Sequence, residues 1–112
     1  MTIDDVQRLA LALPEVVKEP HFQMSSFRIR GKIFATVPPD NEHLHLFVAE
    51  LEREKMLTLH PEAYEKLWWG KKVVGLRVNL SVANNNDVRE LLQSAWLLRA
   101  PAKLAALLQA RD

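Results

Sequence analysis

Cysteine is absent from the 112-residue chain. That excludes a disulfide framework, a thiolate nucleophile and any cysteine-ligated zinc or iron–sulfur site. Glycine is scarce, and its 3 residues form no loop of the kind that cradles a phosphate. Net charge is nearly lacking too: 15 Lys+Arg against 14 Asp+Glu leave +1. Neither a polybasic tail nor an acidic disordered chain has that balance. No stretch approaches the ~18 apolar residues of a membrane span. The first apolar segment, Val6 to Leu13, is broken by Gln7 and Arg8 and follows two aspartates, unlike a secretory signal. A cytoplasmic domain with no membrane partner is the expectation these absences leave. What is present supports it, since 48% hydrophobic residues suffice for one core over residues 1–112.

Thr2 and Asp5 have the spacing of a reciprocal helix cap, and Ile3, Val6, Leu9, Ala10 and Leu13 then recur at helical period. Pro14 ends that helix, and residues 14–24 read as a loop. Phe27 to Arg30 alternates with period two, and Ile33 to Val37 favours a strand. With Gly31-Lys32 as a two-residue type II′ turn, Ile29 faces Phe34 and Phe27 faces Thr36. Arg28 and Arg30 then share the other side with Ile33, Ala35 and Val37; a three-residue loop would flip the pairing. After the Pro38-Pro39-Asp40-Asn41 turn, Leu44, Leu46 and Val48 alternate with His43, His45 and Phe47 as a third strand. Residues 49–59 read as a short helix, and Pro61 opens a second one running to Trp68. Val74, Leu76, Val78, Leu80 and Val82 make the clearest strand face, expected to be buried against helices. Asn84 to Asp87 offers caps for a helix through Val88, Leu91, Leu92, Ala95 and Trp96, and Ala102 to Ala110 forms a terminal helix. This order argues for an α+β domain, an antiparallel sheet with N- and C-terminal helices packed on one face.

The segment Phe27-Arg28-Ile29-Arg30-Gly31-Lys32-Ile33-Phe34-Ala35, after a Leu13-Pro14-Glu15-Val16 loop, resembles the MmcQ/YjbR family of small bacterial proteins. An Asp87-Val88-Arg89-Glu90-Leu91-Leu92 helix start, an aromatic at Trp96 and a Lys103-Leu104 pair continue the match. The resemblance implies a CyaY-like fold and a DNA-binding role of the double-wing kind. Family members often carry a histidine, asparagine or tyrosine near the start of the last strand, where this chain has Trp68-Trp69-Gly70-Lys71-Lys72.

Charge is unevenly placed. Residues 20–37 hold Arg28, Arg30 and Lys32 with no acid, and residues 66–83 hold Lys66, Lys71, Lys72 and Arg77 with no acid. Residues 40–65 carry seven acids against Arg53 and Lys55. If both basic stretches belong to one sheet, their charges converge on its open face, where phosphates respond to the local field. The candidate DNA contacts are therefore Arg28, Arg30, Lys32, Lys71, Lys72 and Arg77. Basic side chains on a solvated sheet face are the plainer reading. Trp68 and Trp69 could stack on bases, or serve a protein partner at the same face, with one of the two expected in the core. His43 and His45, two apart on a strand, have metal-ligand spacing, with His21 or an acid as a third ligand. Histidine is ordinary on a polar strand face, so no metal and no cofactor are expected. Ser25, Ser26, Ser81 and Ser94 lack the strand–turn–helix elbow of a hydrolase serine. The expectation is a non-enzymatic binding module, monomeric or weakly dimeric, that takes DNA or else a protein partner.

Overall fold

The structure, a computed structural model, describes residues 1–110; the last two residues of the expected 1–112 domain lie outside them. Thr2 starts α1 (Ile3–Leu11): its side chain accepts from the Asp5 amide, and the Asp5 carboxylate accepts from the Thr2 amide. Such a cap is worth about 1 kcal/mol. β1 (Val16–His21), β2 (Met24–Ile29), β3 (Lys32–Val37) and β4 (His43–Leu46) follow. After them come α2 (Glu50–Leu59), β5 (Tyr64–Trp69), β6 (Lys72–Asn79), α3 (Asn85–Arg99) and α4 (Ala102–Ala110). All strands join one antiparallel sheet in the order β1-β2-β3-β4-β6-β5.

The helices cover one face, as the sequence predicts. Val6 and Ala10 of α1 and Val88, Leu91, Leu92, Ala95 and Trp96 of α3 are buried with Phe27, Ile29, Phe34, Leu44, Leu46, Leu76 and Val78. Trp96 is fully buried, and its indole N–H donates to the Pro14 carbonyl at 3.1 Å. That bond satisfies the polar end of the largest core side chain and ties α3 to the turn after α1.

Two segments differ from their sequence reading. Residues 16–21, read as loop, form edge strand β1, and the stretch from Pro61 to Trp68, read as helix, instead leads into edge strand β5, Tyr64–Trp69. Edge strands at the rim of the helical layer bury little, so neither shows the alternation that marks a half-buried strand. Pro20 is compatible with β1 because an edge strand can leave one side of its backbone unpaired.

The β2–β3 hairpin also differs in register. Ile29 pairs with Lys32, so the two-residue turn is Arg30-Gly31, with both φ angles positive (49° and 80°). This is the type I′ pattern. A bulge at Phe34 then brings Phe27 opposite Ala35 and Ser26 opposite Thr36. Ala35 and Val37 therefore belong to the core, and Thr36 to the open face. On β6, Leu76, Val78 and Leu80 are buried as expected. Val82 lies beyond the strand end and is half-exposed, while a bulge near Val74 turns that residue into the open-face groove.

Candidate binding face

Cross-strand pairing places one residue from each strand in a single row across the uncovered face: Glu19, Ser26, Thr36, His45, Arg77 and Glu65. Ser26 and Thr36 are buried within it. The Ser26 hydroxyl donates to the Glu19 carbonyl at 2.8 Å and accepts from the Arg28 Nε at 3.0 Å. Arg77 donates from Nη1 to the His45 Nε2 at 2.9 Å, and its Nε lies 2.9 Å from a Glu65 carboxylate oxygen. His45 is thereby kept neutral: burial lowers its pKa first, and the Arg77 charge lowers it further. This polar row is not legible in the sequence, because it needs the strand order and both bulges.

Each of the three expected arginines faces a carboxylate. Arg28 lies 3.3 Å from Glu19 and Arg30 3.2 Å from Glu15, while Arg77 meets Glu65 and, at 3.5 Å, Asp40. The acids come from the α1–β1 turn, β1, β5 and the β3–β4 turn, outside the acid-free windows of the sequence. Lys32, Lys71 and Lys72 are exposed and, among the described residues, lie within 4.0 Å of no carboxylate. They occupy the β2–β3 and β5–β6 hairpins. Because β3 and β6 each run antiparallel to β4, they point the same way, and both hairpin turns sit at one end of the sheet. The six candidates thus divide into three neutralised arginines and three lysines at two neighbouring hairpins.

Most of the open face beside the polar row is apolar. Ile33, Phe47, Leu67, Val74, Trp68 and Trp69 line a groove of about 400 Å³ with His21, Phe22, Met24, Thr36 and His45. Trp69 is 80% and Trp68 56% exposed, so neither enters the core as expected for one of them. They stand at the end of an edge strand, next to the Gly70-Lys71 turn. Trp69 pairs across the hairpin with Lys72, and the Lys66 ammonium sits 5.9 Å from the Trp68 ring centroid. Phe22 closes the β1–β2 turn with φ +57° and a side chain 90% exposed. Both features are unfavourable for a phenylalanine, and strain of this kind concentrates at binding sites. Its ring meets His21 edge-on at 4.7 Å.

The histidine pair is divided between partners. His43 Nδ1 lies 2.8 Å from Asp40, and His45 faces Arg77. Among the described residues no group of three His, Asp or Glu side chains is arranged to hold a metal ion. No helix among them is long and apolar enough to cross a membrane.

The fold has a solved counterpart. The crystal structure of a Deinococcus radiodurans protein with a domain described as DUF419 superposes with a TM-score of 0.77 at 22% identity. The match covers 87% of this chain and 77% of that one. At that identity the likeness speaks for the fold. No curated protein matches the chain. The YjbR family model matches residues 11–98, from the end of α1 through nearly all of α3. That span contains the whole sheet, both lysine hairpins and the aromatic groove, and the chain belongs to the YjbR family.

Proposed function

We propose that this domain is a non-enzymatic binding module that takes single-stranded nucleic acid on the open face of its sheet. The observation that supports the reading is that exposed Trp68 and Trp69 stand at the end of the sheet whose hairpins carry the uncommitted lysines Lys32, Lys71 and Lys72, while exposed Phe22 lines the same groove as the tryptophans. Exposed rings offer stacking worth ~1–3 kcal/mol per base to unpaired bases, whereas bases within a duplex stack on one another. The lysines supply phosphate attraction. Duplex binding through all six basic residues is the less favoured form, because Arg28, Arg30 and Arg77 would each have to leave a carboxylate.

The test is competition at low salt between a single-stranded oligonucleotide and a duplex of the same sequence and length. Preference for the single strand is expected. Equal or tighter duplex binding, or no binding to either, contradicts the reading. A protein partner at the same groove is the second reading, favoured by the apolar lining of Ile33, Phe47, Leu67 and Val74. It is expected to show little salt dependence, because apolar contact rather than phosphate neutralisation would supply the affinity.

A further inference from the structure

Only part of the acid-rich stretch between residues 40 and 65 serves the open face, through Asp40 and Glu65. Much of the remainder lies on α2, on the helical side of the molecule. There α2 and α3 run antiparallel, with His60 3.8 Å from Asp87 at one end and Glu52 beside Ser94 and Leu97 at the other. They do not close on each other. A groove of about 550 Å³ separates them and continues into a second hollow of about 290 Å³ toward Leu98. Buried Met56 and Leu91 line it. Leu51, Lys55 and Leu59 recur every four residues along one wall, with Leu51 83% and Leu59 58% exposed. Among the described residues, Glu52, Asp87 and Glu90 line the same groove with Lys55 and with His60, which stands beside Asp87.

We propose that this groove docks an amphipathic helix of a partner protein, apolar along one stripe and flanked by lysine or arginine. Two leucines eight positions apart on α2 stand about 12 Å apart along the helix. That distance matches anchors two turns apart on an occupant helix laid alongside, as in helix-in-groove recognition. The excess of acid over base sets the sign of the partner's flanks, since complementary charge selects orientation and partner. The site is on the opposite side of the sheet from the aromatic groove and does not depend on what binds there.

The test uses a synthetic peptide of about 15 residues, long enough for a marginal helix, with leucines at three- and four-residue spacing and lysines elsewhere. A twin carries glutamate at every lysine. The lysine peptide is expected to saturate at one per domain and to bind at least ~tenfold tighter than its twin, a difference of about 1.4 kcal/mol. Substituting Glu52→Lys with Glu90→Lys is expected to reverse that preference. Leu51→Ser with Leu59→Ser is expected to abolish binding of either peptide without changing the circular dichroism, since both leucines are exposed. Trp68→Ala with Trp69→Ala is expected to leave peptide binding intact. Equal affinity of the two peptides, no reversal by the charge swap, or indifference to Leu51 and Leu59 would overturn the proposal. So would a homodimer that dissociates on Leu51→Ser, which would make a second copy the occupant.

Discussion

Phe22 is held in a left-handed backbone conformation that costs an L-residue roughly 1–2 kcal/mol, and its ring is almost wholly in solvent. Phe22→Asn is expected to raise stability by about 1 kcal/mol, because asparagine enters that region more readily, and to weaken ligand binding. A denaturant midpoint lower than that of the natural chain would show that the ring contributes to the fold. Tyr64 provides a pH readout because it is the only tyrosine. Burial, assisted by the charges of Asp87 and Glu62, pushes its phenol up to about 12 from the ordinary 10.0. Its raised folded-state pKa contributes stability that is present below pH 10.0 and is lost as the pH rises toward 12. The tyrosinate absorption band is therefore expected to grow in mainly above pH 10.0, together with loss of structure; ordinary titration at 10.0 in a folded chain would contradict it. His45 works in the opposite direction. Its pKa is lowered from 6.5, so its contribution is present above that value and declines as the pH falls below it.

Among the elements, β6 joins edge strand β5 to the rest of the sheet, since β4 and β5 both pair with it. Gly75 lies where β4 approaches most closely: a Cβ there would overlap the Leu46 carbonyl oxygen and stand 3.2 Å from the Phe47 Cα. Those are backbone atoms and cannot move aside. Gly75→Ala is expected to cost at least about 2 kcal/mol, toward the upper part of the usual range for overpacking; a midpoint within experimental error of the natural chain would show that β4 can shift. Elements with a full inner face were legible in the sequence. Helix α1 carried both its cap and its stripe, and Leu76, Val78 and Leu80 alternated as a half-buried strand must. The edge strands were not, because β1 and β5 show the core one or two residues each and their sequences obey no period. The hairpin register was missed at the turn, which is Arg30-Gly31, and again at the bulge at Phe34, which places consecutive residues Phe34 and Ala35 in the core. Local charge singles out the six candidate basic residues but does not show their partners. Glu15, Glu19 and Glu65 reach the arginines only through strand pairing.

At the scale of the whole molecule the two faces of the sheet have different chemistry. One side carries the helices and the acidic α2–α3 groove; the other carries exposed aromatics, and the uncommitted lysines gather at one end of the sheet. A net charge of +1 conceals that division, so long-range attraction to a polyanion depends on where the charges lie. Three uncommitted lysines set the scale of the salt effect. If each contacts a phosphate of a single strand, the slope of log affinity against log salt is about −2, at ~0.7 per contact. Lys32, Lys71 and Lys72 changed together to alanine are expected to remove most of that slope, while Arg28→Ala and Arg77→Ala change it little.

The most direct measurement is titration of a thymine oligonucleotide, across a range of salt, into the natural chain and into Trp68→Ala with Trp69→Ala. Trp68 and Trp69 are exposed and Trp96 is buried, so quenching of intrinsic fluorescence reports on the open face. The natural chain is expected to show quenching, with a salt slope near −2. The double variant, which lacks the reporting rings and is followed by the anisotropy of a labelled oligonucleotide, is expected to bind at least ~fivefold more weakly at every salt concentration, since the loss of even one stacked base costs ~1–3 kcal/mol. Binding that survives the loss of both tryptophans, or no quenching at the lowest usable salt, would contradict a stacking face.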